Sequence, residues 1–455
     1  MNFANVKEWT ITEGDVLSVI DSQNRVLWQK VGPTPPGPDY SEPFYVENIS
    51  NAAETLSIKK SDTSAPTLTI EYSTDKTTWQ TLGTTSTTAL TYTLQVGDKV
   101  YLRCDTNTGW GSNASGTYSN RINGCSKVGG NIMSLLYGSN FTGNETTFRD
   151  STQLTFYNLF NSNTNLVNAQ ELLLPATTLR NYCYYCMFDG CTSLTTAPQL
   201  PATTLAISCY YSMFNGCTSL TTAPTLPATT LIDYCYCSMF KGCTALVTAP
   251  ALQATTLATG CYYLMFCGCT ALVTAPALQA TTLIDYCYGS MFKGCTALVT
   301  APALQATTLA TGCYMSMFVN CTSLTTAPQL PATTLASLCY SSMFQRCTAL
   351  TTAPQLPATT LASNCYLSMF HSCTALTTAP ALQATTLATG CYSSMFQGCT
   401  SLNTVECLAT DISAQSATST WLYNVSATGT FTKAAGVTWP DGKNGIPSGW
   451  TVVEQ

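Results

Sequence analysis

The chain has 455 residues, of which 45% are apolar and only 9% are Asp, Glu, Lys or Arg, with a formal net charge of -6. Roughly a quarter charged is usual for a globular protein, so solubility has to come from Thr, Ser, Asn and Gln. A charge-poor, weakly acidic chain offers no basic footprint for nucleic acid. With no run of about 18 apolar residues, no membrane insertion is expected either.

Residues 1–31 read as a strand and hairpin attachment segment. Strands are expected at 9–11, 16–20 and 26–28, with a polar turn at 21–24. So small a piece has little core of its own, and Trp9, Ile11, Val26 and Trp28 are the residues expected to hold it to a larger assembly. Lys7, Glu8, Glu13, Asp15 and Asp21 interrupt any apolar run, so the segment does not read as a secretory signal. With Met1 as the natural start, synthesis in a cytoplasm without export by the general route is the expectation. Residues 32–39 are a Pro/Gly linker, expected to be extended.

Residues 40–125 alternate in the strand manner at 44–47, 55–59, 68–72, 79–82, 90–94 and 99–103, which predicts a small all-β, Ig-like sandwich. Glu47, Glu54, Glu71 and Asp75 read there as scattered surface residues. Residues 126–173 are expected to join the sandwich to a repeat array, to form its N-terminal cap and to contain its degenerate first repeat.

The array itself occupies residues 174–402, and 403–455 read as its C-terminal cap. The pair Met187-Phe188 returns at Met213, Met239, Met265, Met291, Met317, Met343, Met369 and Met395, always 26 residues apart. One unit, 205–230, is LAISCYYSMFNGCTSLTTAPTLPATT. Leu205, Cys209, Met213 and Cys217 are spaced by four, which predicts one face of a short helix with Gly216 near its end. Residues 218–223 then predict a strand stopped by Pro224, and 226–230 the return turn. One strand and one short helix per coil make an α/β repeat solenoid, with coils about 4.8 Å apart.

The 24 cysteines mostly follow the same period. One column runs from Cys183 through Cys209 to Cys391, a second from Cys191 through Cys217 to Cys399. They read as small buried hydrophobes. Disulfides between coils suit a secreted chain, and zinc wants clustered Cys and His, whereas His371 is the one histidine here. No metal or cofactor is expected. Two units, beginning LIDYCYCSMFKGC at 231 and LIDYCYGSMFKGC at 283, alternate with ATG-containing units at 257 and 309, as if copied in pairs.

No catalytic motif stands out. His371 takes a position filled elsewhere by Asn215, Lys241, Gln345 or Gln397 and reads as a solvated side chain. Residues 174–402 carry Arg180, Asp189, Asp233, Lys241, Asp285, Lys293 and Arg346 as their charges, without a paired-carboxylate arrangement. The chain is therefore expected not to be an enzyme. Binding is a better prospect. The position two after each first-column cysteine varies, and Tyr185, Tyr211, Tyr263, Met315 and Leu367 are the candidate ligand-binding surface. The competing expectation is that these side chains lie half-buried or pack on a neighbouring subunit. The threonine columns (Thr195, Thr221, Thr325, Thr351) form a hydroxyl array, which suits ice but is also ordinary strand surface.

The unit MFxGCTSLTxAPxLPATTL, over about residues 160–402, resembles the BspA-like class of bacterial leucine-rich repeats. The opening EWTITEGDVLSVIDSQNRVLW resembles short N-terminal segments of virion proteins from phages of gut bacteria, and YSTDKTTW, GNIMSLLYG and GIPSGWTV resemble parts found with such repeats there. The resemblance implies a fibre, baseplate or capsid-decoration protein, assembled in the host cytoplasm. Its N-terminal strands would meet other virion proteins and its leucine-rich-repeat solenoid would meet a host surface protein or glycan, with a homotrimer as the analogous assembly. The alternative it implies is a bacterial cell-surface adhesin, which would carry an export signal or lipid anchor.

Overall fold

The computed structural model describes residues 6–12, 15–21, 26–29, 38–112, 118–149 and 153–455, in two compact units, Met1–Tyr40 and Ser41–Gln455. In the first unit, β1 (Val6–Thr12), β2 (Asp15–Asp21) and β3 (Val26–Gln29) form an antiparallel sheet in that order. The register sets Trp9 opposite Val19 and Val19 opposite Trp28, so one row crosses all three strands. Ile11 lies opposite Val16, and Val26 opposite Ile20. Most of the expected turn at 21–24 and of the linker at 32–39 falls outside the described residues.

The second unit begins with two packed sheets. Their strands are β4 (Tyr45–Glu47), β5 (Glu54–Lys60), β6 (Thr69–Ser73), β7 (Gln80–Thr84), β8 (Leu90–Leu94), β9 (Lys99–Arg103), β10 (Gly111–Ser112), β11 (Tyr118–Asn123), β12 (Lys127–Asn131) and, after the short helix α1 (Ser134–Tyr137), β13 (Asn168–Leu173). One sheet has the order β10-β11-β5-β8 and the other β13-β12-β4-β9-β6-β7. Alternating apolar residues explain the sandwich: Leu56 and Ile58 of β5, Ile70 of β6, Leu102 of β9 and Ile122 of β11 are fully buried between the sheets. β13 leaves the sandwich by pairing in parallel with β12 on one side and, at Asn168, with Thr196 of the first full repeat on the other.

The repeats stack in parallel register, an arrangement compatible with a repeat solenoid, but the expected helix is absent from them. In the unit at 205–230, the N–H groups of Cys209, Tyr211, Met213 and Asn215 donate three residues back, to Ala206, Ser208, Tyr210 and Ser212, at 3.1–3.3 Å. The residues between them donate to the next coil: Tyr210 to Cys235, Ser212 to Cys237, Phe214 to Met239 and Gly216 to Lys241, at 2.7–3.1 Å. Every fourth residue is left-handed, with φ of 51° at Ser208, 51° at Ser212 and 70° at Gly216. A left-handed residue at the third position of a turn is the type II signature, and repeated left-handed residues rule out an α-helix. The segment is a ribbon of successive turns with a period of four. Leu205, Cys209, Met213 and Cys217 do return to one buried side, but by that period and not by a helical one.

The expected strand at 218–223 contracts to a single bridge at Thr222, because Leu220 N–H closes a turn onto Cys217 C=O at 3.1 Å and Pro224 has no N–H to give; two further bridges fall in the expected return turn, at Leu226 and Thr230. Thr196, Thr222, Thr248, Thr274, Thr300, Thr326 and Thr352 bridge one to the next in parallel. The column ends in a parallel sheet of β14 (Thr404–Cys407), β15 (Gly429–Lys433) and β16 (Trp450–Glu454).

Inside, like side chains stack on like. The phenylalanine column begins in the sandwich at Phe44, passes Phe160 and Phe188, and reaches Phe396 with ring centroids 5.2–6.0 Å apart. A second column, absent from the sequence-based expectation, runs from Phe156 through Tyr184, Tyr210 and Tyr236 to Tyr392 and is closed by Trp421 and Trp439. The second-column cysteines are buried thiols that donate to a phenylalanine carbonyl of the previous coil: Cys217 Sγ to Phe188 O at 3.2 Å, Cys399 Sγ to Phe370 O at 2.9 Å. One apolar core therefore continues from Phe44 to Trp450.

Candidate binding surface

The turn ribbon decides what each coil shows outside. Residues 209, 210, 212, 213 and 214 are buried and 211 lies between them, half-buried. Its side chain cannot stand free of the array, so it lies down along it. Tyr157, Tyr185 and Tyr211 stack this way, with centroids 5.2 and 4.6 Å apart. Tyr263 leans onto the next coil, where a Cβ on Gly289 would come within 2.8 Å of its ring. Met315 and Leu367 are also half-buried, while Cys237 and Ser341 of the same column are buried. The side chains of Tyr185, Tyr211, Tyr263, Met315 and Leu367 are thus half-buried, as the competing expectation had it, and do not form one continuous patch. Tyr185 and Tyr211 are brought together; the other three are each isolated by a coil with a small side chain.

The paired units have a physical reason that the sequence did not disclose. Tyr234 lies across Gly260 of the following coil, and Tyr286 across Gly312; a Cβ on either glycine would sit 2.5 Å from a ring carbon. In the same pairs Asp233 accepts the N–H of Thr259 at 3.0 Å, and Asp285 that of Thr311 at 2.9 Å. Each LIDY coil thus caps the ATG coil after it.

His371, expected to be solvated, is half-buried. Its Nδ1 is 3.4 Å from Gln345 Nε2 and 3.1 Å from Ser372 Oγ. Burial, and then the nearby charge of Arg346, lower its pKa, so it is neutral at neutral pH. The bridged side of the array is uncharged, with exposed threonines and with Val247, Val273 and Val299 at 50%, 45% and 44% exposure.

The sandwich acids are not scattered. Lys127 Nζ lies 3.1 Å from Glu47 and 2.9 Å from Glu171, and Lys99 Nζ lies 3.1 Å from Glu42. Arg103 Nε lies 2.7 Å from Glu71. Cross-strand register puts Tyr45, Glu47, Glu71, Lys99, Tyr101, Arg103 and Lys127 on one face of the six-stranded sheet. Tyr45 donates to Glu171, and burial, reinforced by that contact, raises its pKa. Glu54 is buried and accepts Ser126 N–H at 2.9 Å.

Among the described residues no helix is long and apolar enough to cross a membrane. No family model matches this chain, and no curated protein or solved structure matches it either. Fold and surface define a repeat-built protein whose interior is uniform and whose exterior changes from coil to coil.

Proposed function

We propose that this protein is a virion structural protein of a phage, of the fibre, baseplate or capsid-decoration type, and not an enzyme. Its stacked repeats are taken as a BspA-like leucine-rich-repeat solenoid that attaches the particle to a host surface protein or glycan. The observation that carries the reading is the division of labour within each coil: the interior is spent on identical Phe, Tyr, Met and Cys columns, while the outside varies without forming a catalytic grouping. That is the economy of a rigid display scaffold. The separate compact unit at Met1–Tyr40, with Trp9, Val19 and Trp28 in one cross-strand row, supports a role in meeting other virion proteins. The test is mass spectrometry of particles purified from the host that carries the encoding genome. The chain should be found in the particles; recovery only in the host envelope supports the cell-surface adhesin instead and sinks the virion reading.

A further inference from the structure

Where the β6–β7 hairpin approaches α1, a cleft of about 230 Å³ opens, lined by Lys76, Trp79 and Arg103 from the sandwich and by Gly138, Ser139 and Phe141 beyond the helix. Both walls are preformed. Asp75 accepts the N–H groups of Thr78 at 2.7 Å and Thr77 at 2.8 Å, and Trp79 Nε1 donates to Lys76 C=O at 3.1 Å, which pins the hairpin loop. Those N–H bonds, Thr78 first, hold the Asp75 carboxyl well below its ordinary pKa. On the other wall Ser134 Oγ donates to Leu102 C=O at 3.0 Å and accepts Phe44 N–H at 3.0 Å.

The chemistry of the lining is specific. The Arg103 guanidinium lies over one face of the Trp79 ring, 4.2 Å from its centre, which fixes the indole and leaves the opposite face as the apolar plate. Both cations are already paired: Arg103 has Glu71 at 2.7 Å, and Lys76 shares Glu42, at 3.2 Å, with Lys99, at 3.1 Å. With Asp75 in the same hairpin loop, three carboxylates match the three cations, so an anionic ligand would have to break an ion pair. A wholly apolar ligand would strip water from both pairs at a large cost. The paired groups still hold unused donors, since a guanidinium has five N–H and an ammonium three, and Ser139 is exposed beside them. A ligand that suits this lining has one apolar C–H face for an aromatic plate and hydroxyls around its rim. The volume is below the roughly 300 Å³ at which pockets for larger ligands begin and fits one sugar ring.

We propose that this cleft binds one neutral pyranose, the terminal residue of a glycan. Trp79 and Phe141 supply the apolar contacts, and Lys76, Arg103 and Ser139 the polar ones. The inference deepens the attachment reading above and rests on it only for biological purpose. The test is saturation-transfer NMR on the full chain with D-glucose, D-galactose, D-mannose and N-acetyl-D-glucosamine, and with D-galacturonate as the charged comparison. At least one neutral sugar should receive saturation from the wild type, and the signal should vanish in Trp79→Ala. Because Trp79 also supports the loop, Ser139→Tyr is the second variant; it starts from an exposed position and fills the cleft without touching the core. It should abolish the signal with an unchanged circular dichroism spectrum. Saturation of none of the neutral sugars, of galacturonate alone, or of a sugar equally in Ser139→Tyr overturns the proposal. Particles that contain the chain but bind no sugar would sink this inference and leave the virion reading standing; a sugar-binding chain absent from particles would do the reverse.

Discussion

At the level of single residues, the array is held by side chains stacked on copies of themselves. Phe292 is fully buried, with its ring centroid 5.8 Å from Phe266 and 5.7 Å from Phe318. Phe292→Ala removes both stacks, and the neighbouring coils, tied by hydrogen bonds, collapse poorly into the gap. The expected cost is about 3–5 kcal/mol in chemical denaturation. Cys269→Ala, by contrast, removes a thiol that donates to Phe240 C=O at 3.1 Å, but that carbonyl keeps the Cys243 N–H at 3.1 Å. No acceptor is orphaned, and about 1 kcal/mol is expected. Equal losses in the two variants would mean that the cysteine column carries the stack as much as the rings do. The phenylalanine and cysteine columns were legible because they recur at fixed spacing. The tyrosine column recurs as faithfully, directly after each first-column cysteine, yet a helical reading hides it. Adjacent buried residues such as Cys209 and Tyr210 do not fit the single apolar face of a short helix. On a ribbon of turns both point inward.

At the level of the element, the ribbon and the α-helix compete for one signal. Apolar residues at i, i+4 and i+8 suit either a period of 3.6 or one of four. What separates them is that the pattern does not drift over Leu205, Cys209, Met213 and Cys217, and that Ser208, Ser212 and Gly216 stand where a left-handed residue is needed. The six sandwich strands β4 to β9 were legible because two-residue alternation has no such rival, whereas β10 to β13, which complete the two sheets, were not expected. Coupling between adjacent coils was not legible, since it depends on which residues meet one period apart. Gly260 shows its strength. It has a φ of 55°, and its absent Cβ would lie 2.5 Å from Tyr234 Cε1. Gly260→Ala should cost about 1–2 kcal/mol for the left-handed backbone and a further amount for displacing the ring. Adding Tyr234→Ala should recover only the second part, which a double-mutant cycle isolates; simple additivity would show that ring and glycine are independent. The same contact sets the step by which the array changes length. Deleting residues 257–308 puts Gly312 after Tyr234 and keeps the cap. Deleting 257–282 puts Tyr286 there, ring against ring. The longer deletion should be the less damaging one in thermal unfolding, and the reverse order would count against the two-coil unit.

At the level of the whole second unit, the uniform interior makes stability a collective function of pH. Burial pushes the thiols of Cys209, Cys243 and Cys399 up to about 12, and those of Cys217 and Cys269 well above their ordinary value. It raises Tyr210 and Tyr236 likewise. In the unfolded chain these groups titrate near 8.5 for Cys and 10 for Tyr. Below about pH 8.5 both states hold the protons, and the columns' contribution is fully present. Above it the unfolded chain releases protons that the folded chain keeps, so stability falls as pH rises toward the folded values. No single group dominates; many weak dependences add along the two cysteine columns and the tyrosine column. The denaturation midpoint should therefore be flat from about pH 6 to 8 and then drop with a slope that steepens past about pH 9 to 10. A midpoint unchanged at about pH 10 would mean that the thiols are not held protonated in the core. Repeat arrays are prone to unravel coil by coil. Here the phenylalanine column starts at Phe44 inside the sandwich, and the parallel ladder runs from β12 into the array, so the sandwich has no core boundary with the repeats. The alkaline loss should accordingly appear at the same pH in Trp110, buried in the sandwich, and in Trp421, buried in the C-terminal cap. Fluorescence of chains keeping one or the other tryptophan reads the two ends separately, and well-separated transitions would show that the shared core does not couple them.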